Sequence, residues 1–153
     1  MQLTSHFTLE EFTRSEIASC YHIDNTLDPS HSEDAETIAN IRALCQHVLE
    51  PLRQCYGKPI VINSGYRCKT LNGHPEVGGK CKSQHLTGEA ADLRIPDATT
   101  GMRWFEWIRD NCQFDQLIKE KATKTSKSFW IHVSFSRVKN RHQVIANLIK
   151  NPY

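Results

Sequence analysis

Apolar residues recur three or four apart at Ile38, Ile41, Cys45, Val48 and Leu52, the spacing of one buried stripe, which predicts a helix over 33–53. Pro51 has no amide to donate, so the last turn of that helix is expected to kink or end. Upstream, Thr8-Leu-Glu-Glu11 has the form of a capping box and predicts a short helix running to about Cys20. Thr99 or Thr100 can cap a further helix through about Asn111, with Trp104, Trp107 and Ile108 on its apolar side. Val144, Ile145, Leu148 and Ile149 suggest a closing C-terminal helix before Pro152. Strand signals lie between these. Pro59-Ile-Val-Ile62 is a short β-branched run, and Ala90-Ala-Asp-Leu-Arg-Ile95 alternates. Residues 114–120 and 129–135 read as partner strands joined by a polar hairpin loop over 121–128.

These elements predict an α+β fold, with helices packed around a small, largely antiparallel sheet. The 153 residues suit one domain, 1–153, with a real core. No repeat or low-complexity tract suggests a second module. A net charge of +2 without a basic stripe argues against nucleic acid as a partner. Lysines 119, 121, 124 and 127 cluster around the hairpin loop and read as a solvated tip. No run of about 18 apolar residues suggests a membrane segment. The start, Met1-Gln-Leu-Thr-Ser-His-Phe7, lacks the basic and apolar stretches of a signal peptide, so the chain is expected to be cytoplasmic when made, and monomeric. The six cysteines, 20, 45, 55, 68, 81 and 112, include no Cys-x-x-Cys pair and are expected to be reduced in that compartment. Cys68 and Cys81 flank a Gly-rich segment and could approach each other.

The densest chemistry lies in Ser83-Gln-His85-Leu-Thr-Gly88-Glu-Ala90-Ala-Asp92, followed forty residues later by Trp130-Ile-His132-Val-Ser134. His85 and Asp92 are too far apart for one helical turn, so a turn at Gly88 must bring them together. Small Ala90 and Ala91 let the returning strand pass close by, and alternation puts Asp92 on one of its faces. With His132 they form a His/Asp/His set, a sufficient protein ligand set for one catalytic zinc per chain with its fourth position left open.

Ser-x-His-x-x-Gly-x-Ala-x-Asp with a downstream Trp-Ile-His resembles the zinc D-Ala-D-Ala carboxypeptidases and related peptidoglycan peptidases, the group that includes the lysostaphin-type enzymes and the hedgehog fold. His6-Phe-Thr-Leu-Glu-Glu-Phe-Thr-Arg-Ser15, Ser64-Gly-Tyr-Arg67 and Phe114-Asp-Gln-Leu-Ile118 are similar to the bacterial and phage branch. The resemblance implies that His85, Asp92 and His132 hold zinc and that Arg67 binds a substrate carboxylate, for which a guanidinium fork is suited. It also implies hydrolysis of a peptide bond in peptidoglycan, a muropeptide or a precursor, by carboxypeptidase or endopeptidase action. In such a site zinc polarises the scissile carbonyl and makes its bound water more acidic.

Two positions depart from the pattern. Many relatives carry His-x-His at the second motif and a catalytic Glu three residues before the ligand His, where this chain has Trp130 and Phe129. Glu120 is the candidate base. If it faces Trp130 across the hairpin, Ile118 faces His132, and Glu120 stands diagonal to His132 on the same sheet face. Glu89 is expected to point outward from the turn, and Asp115 to occupy the opposite strand face. A zinc-containing binding module or phage structural component without peptidase activity is the alternative that a missing Glu at position 129 leaves open.

Overall fold

A computed structural model describes residues 1–150 of the chain. Two short helices open it, α1 (Leu9–Thr13) and α2 (Glu16–Cys20), where the sequence suggested one. The reciprocal Thr8–Glu11 capping box is formed at the start of α1. The helix ends because Ser15 is extended (φ −151°) and uses its hydroxyl to accept from the Ala18 amide, starting a new helix instead.

Helix α3 (Ser32–Leu44) runs through a π turn (Cys45–Leu49) into α4 (Glu50–Tyr56). Pro51 does not stop this helix. It sits in the first turn of α4, where its missing amide follows the widened π turn. Ile41, Cys45, Val48 and Leu52 of the apolar stripe are fully buried. Strand β1 (Val61–Ser64) and the one-turn helix α5 (Lys69–Asn72) follow, then a 3₁₀ turn (Gln84–Thr87) and β2 (Ala90–Arg94). The long helix α6 (Ala98–Asn111) is capped by Asp97, whose carboxylate accepts from the Thr100 amide, rather than by either threonine.

Strands β3 (Gln116–Lys121), β4 (Trp130–Ser134) and β5 (Gln143–Ile149) complete a five-stranded sheet in the order β1-β2-β4-β3-β5. Every pairing is antiparallel except β3 with β5. The architecture is thus the expected α+β arrangement. β5 replaces the closing helix: its Val/Ile content favours a strand, and a register shift opposite Ile118–Glu120 accommodates the four-residue spacing of its apolar pairs. It also pairs with an edge of β3 that would otherwise be open.

Alternation divides the sheet into two faces. Ile62, Ala91, Leu93, Leu117, Ile131 and Val133 point into the core, against Trp104, Phe105 and Ile108 of α6 and the stripe of α3 and α4. Asp92, Ile118, Glu120 and His132 belong to the other face. Helices and core therefore form a backing, and the chemistry sits on the face they leave open. All six cysteines are unpaired; Cys45 is buried as a small apolar residue, and burial raises its thiol pKa.

Candidate metal centre and peptidase site

His85 reaches the site from the 3₁₀ turn. The chain reverses at Gly88, which has φ +72° and lies against α3, where an added Cβ would come within 2.7 Å of the Thr37 carbonyl oxygen. Glycine is therefore required there both by backbone conformation and by space. The chain returns as β2, where Asp92 pairs directly with His132 of β4. One ligand atom from each of His85, Asp92 and His132 lies within 4.8 Å of the others.

The donor chemistry of this cluster fits a metal. His85 Nδ1 is 2.6 Å from the Gly65 carbonyl, so that nitrogen carries the proton and donates. His85 Nε2 lies 3.4 Å from Asp92 Oδ1. Burial lowers the His85 pKa despite the pull of Asp92, and the neutral ring turns an Nε2 lone pair towards a carboxylate oxygen. Two acceptors facing each other need a cation between them. Bonds of about 2.0–2.2 Å in a tetrahedron put ligand atoms roughly 3.3–3.6 Å apart, which matches the His85–Asp92 spacing. His132 Nδ1 stands closer, 2.9 Å from Asp92 Oδ1, and its proton bridges the gap as a hydrogen bond. Burial works to raise the Asp92 pKa; the hydrogen bond from His132 acts against it, and the carboxyl lies well below the usual carboxylate range. The site thus keeps an anionic and a neutral donor ready for a metal.

The hairpin has the register anticipated from the sequence, with Glu120 opposite Trp130 and Ile118 opposite His132. Glu120 lines the same cavity, about 690 Å³, as His85, Asp92 and His132. Burial, and then the charge of Asp92, raise its pKa, while His132, Lys150 and Arg67 act in the opposite sense. The rival carboxylates are engaged elsewhere. Glu89 accepts from the Thr87 hydroxyl at 2.8 Å. Asp115 is buried and takes bonds from the Arg141 side chain (2.9 and 2.5 Å), the Arg141 amide and Gln84. Phe129 belongs to the hydrophobic core, with its ring near Lys119, and supplies no carboxylate to the cavity.

Arg67 is buried beside Asp92, to which its Nη2 makes one long 3.5 Å bond; its Nε has no partner among the described residues. Burial lowers its pKa, opposed by Asp92 and Glu120. Two elements hold it there. The Arg67 amide donates to the His85 carbonyl at 3.0 Å, tying the loop after β1 to the 3₁₀ turn. Buried Asn25 donates to the carbonyls of Thr13 (2.8 Å) and Tyr66 (3.0 Å) and accepts from the Cys68 amide (2.8 Å), bracketing Arg67 from both sides. No motif or periodicity marks Asn25, which sits in an irregular stretch far from Arg67 in the chain. Gly65 lets the loop approach α1, since a Cβ there would meet the Phe12 backbone at 2.7 Å.

A family model described as peptidase M15 matches residues 6–134, a span that contains Arg67, His85, Asp92, Glu120 and His132. The chain belongs to the peptidase M15 family. M15 peptidases are metal-dependent and of the zinc D-Ala-D-Ala carboxypeptidase-like type, so a metallopeptidase role accords with the metal-fitting cluster. Comparison of this M15 chain with curated proteins gives no match. No helix among its described residues is long and apolar enough to cross a membrane.

Proposed function

We propose that this M15 chain is a zinc peptidase that hydrolyses a peptide bond in peptidoglycan stem peptides or their precursors. Its metal would be held by His85, Asp92 and His132. The observation that carries the reading is the shared sheet face: Glu120, Asp92 and His132 line one cavity with His85, while the core lies behind the sheet.

When bound, zinc supplies Lewis acidity to the scissile carbonyl and acidity to a water. The remaining work belongs to the chain. Glu120 accepts the water's proton and returns it to the departing amine, a task favoured by a carboxyl whose pKa burial has raised. Gly65, through its carbonyl, fixes the His85 tautomer that leaves Nε2 unprotonated. Arg67 receives a substrate carboxylate on a fork that Asp92 only partly occupies. The apolar sheet face at Ile118 limits water around the reacting groups.

Incubation of the zinc-loaded protein with muropeptides, with and without chelator, should release new amino termini only when metal is present. Glu120→Gln should retain zinc and lower turnover at least about 100-fold, the scale of a lost general base. Near-wild-type turnover in that variant, with activity lost in Asp115→Asn or Glu89→Gln, would assign the base elsewhere. Zinc binding without cleavage by the wild type would favour the binding-module alternative, in keeping with the absence of a carboxylate at Phe129.

A further inference from the structure

His85 is the member of the cluster that no strand carries. It sits in the 3₁₀ turn Gln84–Thr87, whereas Asp92 and His132 lie opposite each other on paired strands. A 3₁₀ turn has poorer hydrogen-bond geometry than an α-helix, so its place depends on what it touches. On one side the loop after β1 holds it, through the Arg67 amide on the His85 carbonyl and the Gly65 carbonyl on the His85 ring. From α3, Asn40 donates to the Thr87 carbonyl at the far end of the turn. Towards β3 the contact is made by Gln84, next to His85 in the chain, which donates from Nε2 to Asp115 Oδ2 at 3.0 Å.

Asp115 stands just before β3, and its side chain is only 4% exposed. An ionised carboxylate can only accept, and each of its oxygens accepts twice. Oδ1 takes the Arg141 amide and Nε, both at 2.9 Å, and Oδ2 takes Arg141 Nη2 at 2.5 Å together with Gln84. The Arg141 fork fixes the plane of the carboxylate, and with it the direction from which Gln84 approaches. Arg141 is fixed in turn by the residues after it. The His142 amide donates to the Phe114 carbonyl at 3.2 Å, the Gln143 amide donates to the Asp115 carbonyl at 2.9 Å, and the His142 ring stacks on Phe114 with centroids 4.0 Å apart. These residues lead into β5, which pairs with β3 alone. They lie beyond residues 6–134, the span that the family model matches. Because Gln84 Nε2 faces a carboxylate, its Oε1 points elsewhere and is buried with no partner among the described residues. An unpaired buried oxygen costs stability, so the contact is better suited to fixing the turn than to strengthening the fold.

We propose that Arg141, Asp115 and Gln84 are positioning residues that act in series, so that the segment entering β5 sets the place of His85 and thereby the affinity of the cluster for zinc. None of the three is a ligand. Arg141 orients Asp115, Asp115 orients Gln84, and Gln84 holds the turn on which His85 sits. This rests on the metal-centre part of the reading above and is independent of which bond is cut.

The test measures the zinc Kd by competition with a chelator of known affinity, on folded apoprotein well below its melting temperature. The proteins are the wild type, Asp115→Asn, Gln84→Ala, Arg141→Ala and the variant combining Gln84→Ala with Arg141→Ala. Asp115→Asn and Gln84→Ala should each weaken zinc binding by about 10- to 100-fold, the scale on which the partners of metal ligands act. Arg141→Ala should weaken it as well, although that side chain is exposed and is not one of the cluster. In the combined variant the loss should equal that of Gln84→Ala alone, because Arg141 then has no turn to act on. Losses that multiply would mean independent effects and would overturn the series. Should Asp115→Asn fail to fold, Gln84→Ala decides, since it is half-buried and its removal leaves the Asp115–Arg141 pair intact. Lowered apoprotein melting temperatures with an unchanged zinc Kd would make the three a structural clamp and refute the proposal. A wild type that binds no zinc would remove the metal centre and this inference together. Weakened zinc binding in the variants, with no peptide cleaved by any of the proteins, would keep the inference and set aside the peptidase reading.

Discussion

At the scale of single residues, the site is distinguished by groups whose hydrogen-bonding capacity the protein itself leaves unused. Arg67 is desolvated, yet among the described residues its side chain is bonded only through Nη2 to Asp92, an arrangement that costs stability unless a ligand completes it. Arg67→Lys keeps the charge and removes the planar fork. It should reduce kcat/KM for an acidic peptide by at least about tenfold, with much less effect on thermal stability, because a charge-assisted bond of about 1.5–3 kcal/mol is lost with the ligand rather than with the fold. Kinetics and melting on one preparation check this, and unchanged kinetics would make Arg67 a structural partner of Asp92 alone. His85 illustrates the complementary device. Its Nδ1–Gly65 bond fixes the tautomer, a detail invisible in the motif because the acceptor is a backbone carbonyl twenty positions away.

Among the elements, legibility follows the range of the interactions that decide each one. Period and local chemistry were sufficient for the buried stripe of α3 and α4 and for the β3–β4 hairpin, whose register follows from alternation. They failed at the end of the chain, where Val144, Ile145, Leu148 and Ile149 read equally as a helix face. The decision there lies in the open edge of β3 and a register shift on it, neither of which is local. They failed too at Arg14 and Ser15, where a competing cap divides one predicted helix in two. Most of the candidate cluster was visible because its residue types are rare in combination, whereas Asn25 was hidden because a bracket on backbone groups can be any polar residue. Asn25→Ala should cost about 1–3 kcal/mol, leaving the carbonyls of Thr13 and Tyr66 and the Cys68 amide without their partner. It should also lower kcat/KM by displacing Arg67 while preserving metal content, and activity that falls only in proportion to the folded fraction would count against this positioning role. The start of β3 carries a pH-dependent support. The Arg141 hydrogen bond, opposed by burial, lowers the Asp115 pKa from its ordinary value. A depressed carboxylate stabilises fully above its unfolded pKa of about 3.9, and the contribution disappears as pH falls through the lower folded value. Asp115→Ala should therefore cost about 1.5–3 kcal/mol at neutral pH and progressively less below about pH 4. Chemical denaturation at several pH values checks the sign, and a penalty that grows on acidification would refute it.

For the whole molecule, the proposed metal centre couples metal binding to folding. His85, Asp92 and His132 come from the 3₁₀ turn, β2 and β4, so the cluster exists only when the sheet is assembled and its face is backed by the helical core. A ligand that binds the folded state alone adds about 4.1 kcal/mol when present at 1,000 times its Kd, and a domain of this size melts about 2–4 °C higher per kcal/mol. Zinc should thus raise the melting temperature by roughly 8–16 °C on those scales. The six free cysteines of the unfolded chain compete for the same ion, which moves the expected shift towards the lower end. Chelator should remove the stabilisation from the wild type and have little effect on His85→Ala or His132→Ala, which lack a donor and should already have lost most of their zinc. Elemental analysis should find about one zinc per wild-type chain, the stoichiometry of a single His/Asp/His centre. Full metal retention in either alanine variant would place the ion elsewhere. An unchanged wild-type melt after verified zinc removal would mean that the ion binds the folded and unfolded chains alike, and not at a cluster that only folding assembles.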